Sequence, residues 1–209
     1  MKTFLFSALT LSFLAIIPFN EAIAKNLTLT NKPTKKVLIA YYSQSGTKNT
    51  ETIANYIHNA IGGDLYEIEL IKPYPEKYKE ILKQSKEENN NNIKPAIKAF
   101  TNNLKDYDII FIGSPIWFGT YAPPIATFLA DSNLQNKTVI PFCTHGGGGA
   151  GDFYNDIKKN AQNADVVEHG FTAKGSNVVE RFFGRGTKNK VSQDDVTTWL
   201  NEIFKQELP

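Results

Sequence analysis

Cysteine is almost missing from this chain: its 209 residues hold one, Cys143. A single thiol excludes an intramolecular disulfide and any zinc or iron–sulfur site built from cysteines. Charge of one sign is missing as well, since 23 Lys and Arg face 21 Asp and Glu for a net +2. Nucleic-acid binders normally carry a strongly basic face, so that class is set aside. Long apolar runs are scarce. The longest, residues 3–19, is cut by Pro18, Asn20 and Glu21 short of the ~20 residues a spanning helix needs. Neither Gly-x-x-x-x-Gly-Lys-Ser/Thr nor Gly-x-Gly-x-x-Gly occurs at the first strand-to-helix turn, which excludes two common phosphate loops. What remains is ordinary in bulk. At 41% hydrophobic and 21% charged, the composition excludes wholesale disorder and a polytopic membrane protein, and the length suits one domain.

The apolar start is an address rather than part of the core. Lys2 opens residues 1–24, and Ala22-Ile23-Ala24 fits the small-x-small rule for cleavage before Lys25. Export is therefore expected, with the periplasm as destination. No cysteine stands at the cleavage point to accept a lipid anchor, and loss of Lys2 and Glu21 leaves the net charge unchanged. Residues 25–34 are expected to form a flexible lead-in, and residues 35–209 the folded domain.

Within the domain, apolar runs alternate with helical periodicity. Strands are expected at residues 37–42, 65–70, 108–113, 137–143 and 164–170. Helices are expected at 49–61, 76–88, 96–104, 124–130, 152–161 and 191–206, with a solvated asparagine-rich loop at 89–92. Strands that do not alternate in polarity are buried on both faces, so the expected fold is α/β, a doubly wound parallel sheet with helices on both sides. Ligands of such sheets sit beyond the carboxyl ends of the strands, at the switch in strand order.

Three loops at those ends carry unusual chemistry. The first is Ser43, Gln44, Ser45, Gly46, Thr47, Lys48, Asn49 and Thr50. One helix cap needs one short polar side chain, whereas this stretch supplies five, and the surplus points to an anion held on a helix N-terminus. The second, residues 113–121, brings Trp117, Phe118 and Tyr121 together beside Pro115, Gly119 and Thr120. Such rings serve either as a stacking wall for a planar heterocycle or as a hydrophobic cap on the sheet edge. The third, residues 143–151, has five glycines around Thr144, His145, Gly146 and Gly147, which opens backbone amides to a ligand. Cys143 reads as an inert buried thiol. His145 reads either as structural or as a group that orients or protonates a bound ring. Residues 175–190, with Arg181, Phe182, Phe183 and Arg185, read as a partner surface or a cover loop.

Ser-x-Ser-Gly followed by Asn-Thr-Glu-x-Ile-Ala resembles the phosphate loop and first helix of flavodoxins. Gly-Ser-Pro-Ile-Trp-Phe-Gly-Thr and Pro-Phe-Cys-Thr-His-Gly-Gly-Gly-Gly are similar to the two ring-binding loops of a bacterial flavodoxin-like subfamily. The resemblance implies a five-stranded flavodoxin-like sheet and non-covalent FMN. It would place the phosphate on Ser43, Ser45, Gly46, Asn49 and Thr50, with Gln44, Thr47 and Lys48 in the same loop. The ring would lie against Trp117 and Phe118, near Pro115, Gly119 and Thr120, and beside Thr144, His145, Gly146 and Gly147. This chain inserts Thr47-Lys48 into the family's Ser-x-Thr-Gly-Asn-Thr pattern, which offers the phosphate a direct charge from Lys48. It also lacks the acidity of electron-carrier flavodoxins, which disfavours a partner recognised through a negative face. The implied role is electron transfer with a redox protein partner. The alternatives are an FMN-dependent reductase of quinones or similar small oxidants, with His145 or Tyr121 near the substrate, and a non-redox flavin carrier.

Overall fold

Strands that are apolar at every position need cover on both faces, and the order of elements supplies it. A computed structural model of the protein describes residue 29 and residues 32–44, 47–168, 170–175 and 191–206. The expected leader at 1–24, most of the lead-in, Ser45, Gly46 and the segment holding Arg181, Phe182, Phe183 and Arg185 lie outside the described residues.

The chain runs β1 (Val37–Tyr41), α1 (Asn49–Ile61), β2 (Asp64–Glu67), α2 (Tyr78–Asn90), a 3-10 turn (Leu104–Asp106), β3 (Ile109–Trp117) and β4 (Thr120–Tyr121). It continues with α3 (Pro123–Asp131), β5 (Thr138–His145), α4 (Phe153–Asn160), β6 (Asp165–Val166), β7 (Phe171–Lys174) and α5 (Gln193–Gln206). The sheet order is β2-β1-β3-β5-β6, with β7 also beside β5 and β4 beside β3. All pairings are parallel except β3 with β4. Five parallel positions result, as the resemblance implies, with the change of winding direction between β1 and β3.

The period-two alternation of each strand divides the core. Leu38, Ala40, Ile110, Ile112 and Val139 face α3 and α4 through Ile125, Phe128, Phe153 and Ile157. Val37, Ile39, Phe111, Ile140 and Phe142 face α1 and α5 through Ile53, Ile57, Val196 and Leu200. Each fully buried side chain of this size contributes about 1.5–3 kcal/mol relative to exposure. Among the described residues no helix is long and apolar enough to cross a membrane.

Several boundaries differ from expectation: β2 ends at Glu67 rather than at residue 70, β5 runs on to His145, and four further departures follow. Of the helix expected at 96–104, residues 96–103 are not helical, and Leu104 opens the 3-10 turn. Ile71 N–H donates to the Ala96 carbonyl at 2.9 Å and Lys98 N–H to the Glu69 carbonyl at 2.7 Å, an antiparallel bridge that centres on Leu70 and Ile97. A non-local pairing thus overrides local periodicity. Strand β3 runs four residues further than expected, because its end folds back on β4. Helix α2 begins at Tyr78 and extends into the asparagine run. The fifth strand is split into β6 and β7. Thr138 N–H points to Asp108 on the β3 side while the Val139 carbonyl accepts from Val167 on the other, so strand parity aims residue 141 at the last strand. Residue 141 is proline, which has no N–H to give, and among the described residues no ladder pair joins β5 between Val166 and Phe171.

Candidate functional site

Strands β1, β3 and β5 deliver the three loops to one edge of the sheet. Helix α1 starts at Asn49, preceded by Lys48 in the left-handed region at φ 50°, with no side-chain cap. Only a distant acceptor, Ser43 Oγ at 3.4 Å, meets the Glu51 N–H. A helix start of this kind, with no side-chain cap from its N-cap residue, suits an anion. Asn49 Nδ2 donates to Thr47 Oγ1 at 2.8 Å. Ser43 and Thr50 are buried, Gln44 is half-buried, and Gln44 Oε1 accepts from the Tyr42 hydroxyl at 2.7 Å.

Lys48 has a different place from the one its sequence position suggests. Its ammonium lies 3.2 Å from Glu51 and 3.1 Å from Glu67 on β2, and 3.4 Å from the Ser43 carbonyl. Partial burial draws its pKa down, but the hydrogen bonds to Glu67 and Glu51 outweigh this and hold it above the ordinary lysine value. The insertion thus throws a cationic clasp from the first loop to β2. Beneath it lies a cleft of about 360 Å³ lined by Tyr42, Ser43, Gln44, Glu67 and Leu70.

The second loop is a hairpin. Trp117 pairs with Thr120 across Phe118 and Gly119, whose φ values of 53° and 84° are those of a tight two-residue turn. Such a turn projects Phe118, which is half exposed, while β3 carries Pro115 into register with Thr144. Trp117 is half-buried between two tyrosines, edge to Tyr42 at 5.8 Å and to Tyr74 at 5.5 Å. Tyr121 is buried, and its hydroxyl accepts from Asn160 at 3.0 Å, so it belongs to the fold rather than to the open rim.

Two ties hold the hairpin against the start of α4, which follows the third loop. Asp152 N–H donates to the Gly119 carbonyl at 2.7 Å, and Thr120 Oγ1 donates to Asp156 Oδ2 at 2.5 Å. Gly151, at φ 57°, passes so close that a Cβ there would collide with the Gly119 carbonyl. In the third loop, His145 Nδ1 accepts from both Gly147 and Gly149 N–H, at 3.0 and 3.1 Å. That leaves the neutral ring protonated on Nε2 and makes His145 the organiser of the glycine run. Thr144 and Thr50 share a buried hydroxyl bond at 2.8 Å that joins the third loop to the first. Among the described residues, a Cβ added at Gly119, Gly146, Gly147, Gly148 or Gly149 would meet nothing within 4 Å.

Cys143 is fully buried. Burial pushes its thiol up to about 11, against the opposing pull of Thr172 and Tyr154, so it is inert as expected. Among the described residues no cluster of three or more His, Cys, Asp and Glu could hold a metal ion. Sequence reading missed Tyr42, Tyr74, Gly151 and Asp156. Tyr74 sits between Pro73 and Pro75, a pattern that marks a chain break without revealing the ring's contact with Trp117.

The comparisons with known proteins agree with this architecture. A protein of Bacteroides eggerthii inferred to be a flavoprotein is 30% identical, with a TM-score of 0.65, over 81% of this chain and 98% of that one. Its counterpart from Bacteroides uniformis is 27% identical, with a TM-score of 0.65, over 79% and 97%. A flavoprotein of Lactobacillus acidophilus solved in complex with FMN is 26% identical, with a TM-score of 0.57, over 71% and 99%. No curated protein matches the sequence. A family model described as flavodoxin matches residues 36–203, so the chain belongs to the flavodoxin family.

Proposed function

We propose that this protein is exported, binds FMN non-covalently on the three-loop rim, and exchanges electrons with a protein partner. One observation carries the cofactor assignment. Among the described residues, nothing stands where a methyl at Gly146 or Gly148 would strike it, and neither has a left-handed φ, so the described part of the fold gives no reason for glycine there. A ligand packed against the loop does. The uncapped start of α1 supports the same reading, as does the complex with FMN formed by the Lactobacillus acidophilus flavoprotein.

Ser43, Ser45, Gly46, Asn49 and Thr50 would hold the phosphate through hydroxyls and the helix N-terminus. Trp117 and Phe118 would wall the ring, with Thr144, His145, Gly146 and Gly147 along its edge. When bound, FMN supplies one- and two-electron redox chemistry that no side chain here provides. The chain's own part is to orient and shield. Tyr42 and Tyr74 brace Trp117, the hairpin ties fix Phe118 and Gly119, and His145 shapes the amides of the glycine run. Lys48 already holds Glu51 and Glu67, which leaves the start of α1 as the main attraction for the phosphate.

The test is the absorbance spectrum of the mature protein with and without added FMN. A perturbed flavin spectrum with saturable binding is expected; no affinity for FMN overturns the proposal. Turnover of a quinone with NADPH would instead make the protein a reductase, and binding without reversible reduction would make it a flavin carrier. Export is tested separately: the N-terminus of the protein recovered from the periplasm should be Lys25.

A further inference from the structure

Helix α2 is polar, yet Ser85 and Glu88 are buried. Ser85 returns its hydroxyl to the Ile81 carbonyl at 2.7 Å, an internal arrangement. Glu88 is only 6% exposed, and both of its oxygens accept hydrogen bonds. The Tyr74 hydroxyl donates to Oε2 in a short bond, and Gln84 Nε2 donates to Oε1 at 2.9 Å. Two acceptors and no donor are the pattern of an ionised carboxylate. Among the described residues no Lys, Arg or His forms an ion pair with it.

A buried carboxylate held only by neutral donors is a costly way to dock a helix, and an apolar residue would serve better. Its surroundings supply the reason. Tyr74, which it holds, stands edge-on to Trp117, and Tyr42 stands edge-on from another direction while its hydroxyl reaches Gln44 in the first loop. The charge of Glu88 is felt by both tyrosines. Burial first, and then Glu88, push the Tyr42 and Tyr74 hydroxyls far above the ordinary tyrosine range. Glu88 therefore couples to two of the three loops through one aromatic cluster.

We propose that Glu88 is a positioning residue for the FMN site: it fixes Tyr74 and thereby Trp117, and its negative charge behind this wall disfavours reduction of the bound ring. The second half rests on the FMN reading above; the first does not. Added electron density at the wall meets a fixed charge of the same sign across the low-dielectric aromatic cluster. As a general scale, two unit charges about 10 Å apart at an effective dielectric of about 20 change an equilibrium by about tenfold.

Two substitutions in the full chain separate the roles. Glu88→Gln keeps an acceptor for Tyr74 and removes the charge, whereas Glu88→Ala removes both. Without FMN, the indole N–H resonances of Trp117 and Trp199 report two sites, and Trp117→Phe identifies which is which. Glu88→Ala is expected to move the Trp117 resonance, Glu88→Gln to leave it close to its original place, and neither to move that of Trp199. Should Glu88→Ala fail to fold, Tyr74→Phe is expected to move the same resonance. With FMN bound, Glu88→Gln is expected to shift the ratio of reduced to oxidised protein about tenfold toward reduced at a fixed poise. A stationary Trp117 resonance overturns the positioning role. An unchanged ratio in FMN-loaded Glu88→Gln overturns the charge role. Failure of the unsubstituted protein to bind FMN overturns the function proposed above and the charge role with it, and leaves the indole resonances to decide positioning alone.

Discussion

Replacing Gly148 by alanine adds one methyl at a place where the described residues offer nothing within 4 Å to meet it, and where the backbone is outside the left-handed range. In the FMN-free protein the effect is confined to the unfolded chain, which loses conformational freedom. A gain of about 0.4–1 kcal/mol is expected. For a domain of this size that raises the melting temperature by about 1–4 °C. In the loaded protein the same methyl occupies space assigned to the ligand. Overpacking of this kind costs about 1–3 kcal/mol, so FMN should bind about five- to a hundredfold more weakly. The two effects have opposite signs, which few structural explanations produce together. Circular dichroism melts of FMN-free protein give the first, and quenching of flavin fluorescence on titration gives the second. Gly146→Ala should behave alike. Gly113→Ala is the control: its Cβ would collide with the Phe142 ring, so it should destabilise the protein whether or not FMN is present. If both loop alanines stabilise the free protein and leave FMN affinity unchanged, the open space over the glycine run is not where the cofactor sits. If they destabilise the free protein, the loop carries a constraint of its own and the inference fails at its first step.

Gly151→Ala should cost at least about 1 kcal/mol, because it combines a left-handed φ with a collision against the Gly119 carbonyl; a denaturant melt matching the unsubstituted protein would contradict that packing. Thr144→Val should cost about 1–3 kcal/mol by leaving the buried Thr50 hydroxyl without its partner, and adding Thr50→Val should restore part of the loss, a coupling that a double-mutant cycle measures. Alkaline stability follows from three buried acids. Burial chiefly holds Cys143 up to about 11 from 9.0, and Tyr41 and Tyr121 up to about 12 from 10.0. These groups stay neutral in the folded protein while the unfolded chain ionises, so stability should fall as pH climbs from 9.0 toward about 12, and a flat profile of urea midpoints over that window would refute it.

Strands β1, β3 and β5 were legible because burial on both faces leaves an unbroken apolar run, such as Val37–Tyr41, that nothing else in residues 35–209 imitates. Helices α1 and α5 were legible from one apolar stripe each, and the three loops from residue types that a plain turn does not need. Residues 96–103 were misread because their apolar spacing suits a helix, while the hydrogen bonds that decide their conformation come from residues 69–71. No local pattern carries that information. The split of the last strand was visible in principle, since Pro141 stands in the sequence, but its effect depends on which neighbour residue 141 faces. The site divides in the same way. Residue types announced the rim, whereas the clasp of Lys48, the bracing of Trp117 by Tyr74 and the ties from Asp152 and Asp156 all join positions far apart in the chain.

The missing donor at Pro141 has a consequence for how the molecule opens. The outer strand is fastened to β5 in two short stretches, Asp165–Val166 and Phe171–Lys174, with the lapse between them. Each stretch can be released without undoing the other, so amide protons along this strand should exchange with solvent through sub-global openings, far faster than those of β1 and β3 at the sheet centre. The second stretch ends where Gly175 N–H reaches back to the His145 carbonyl. Breathing of the outer strand is thereby transmitted to the residue that shapes the glycine run, and occupancy of the rim should slow hydrogen exchange there, at the periphery of the sheet.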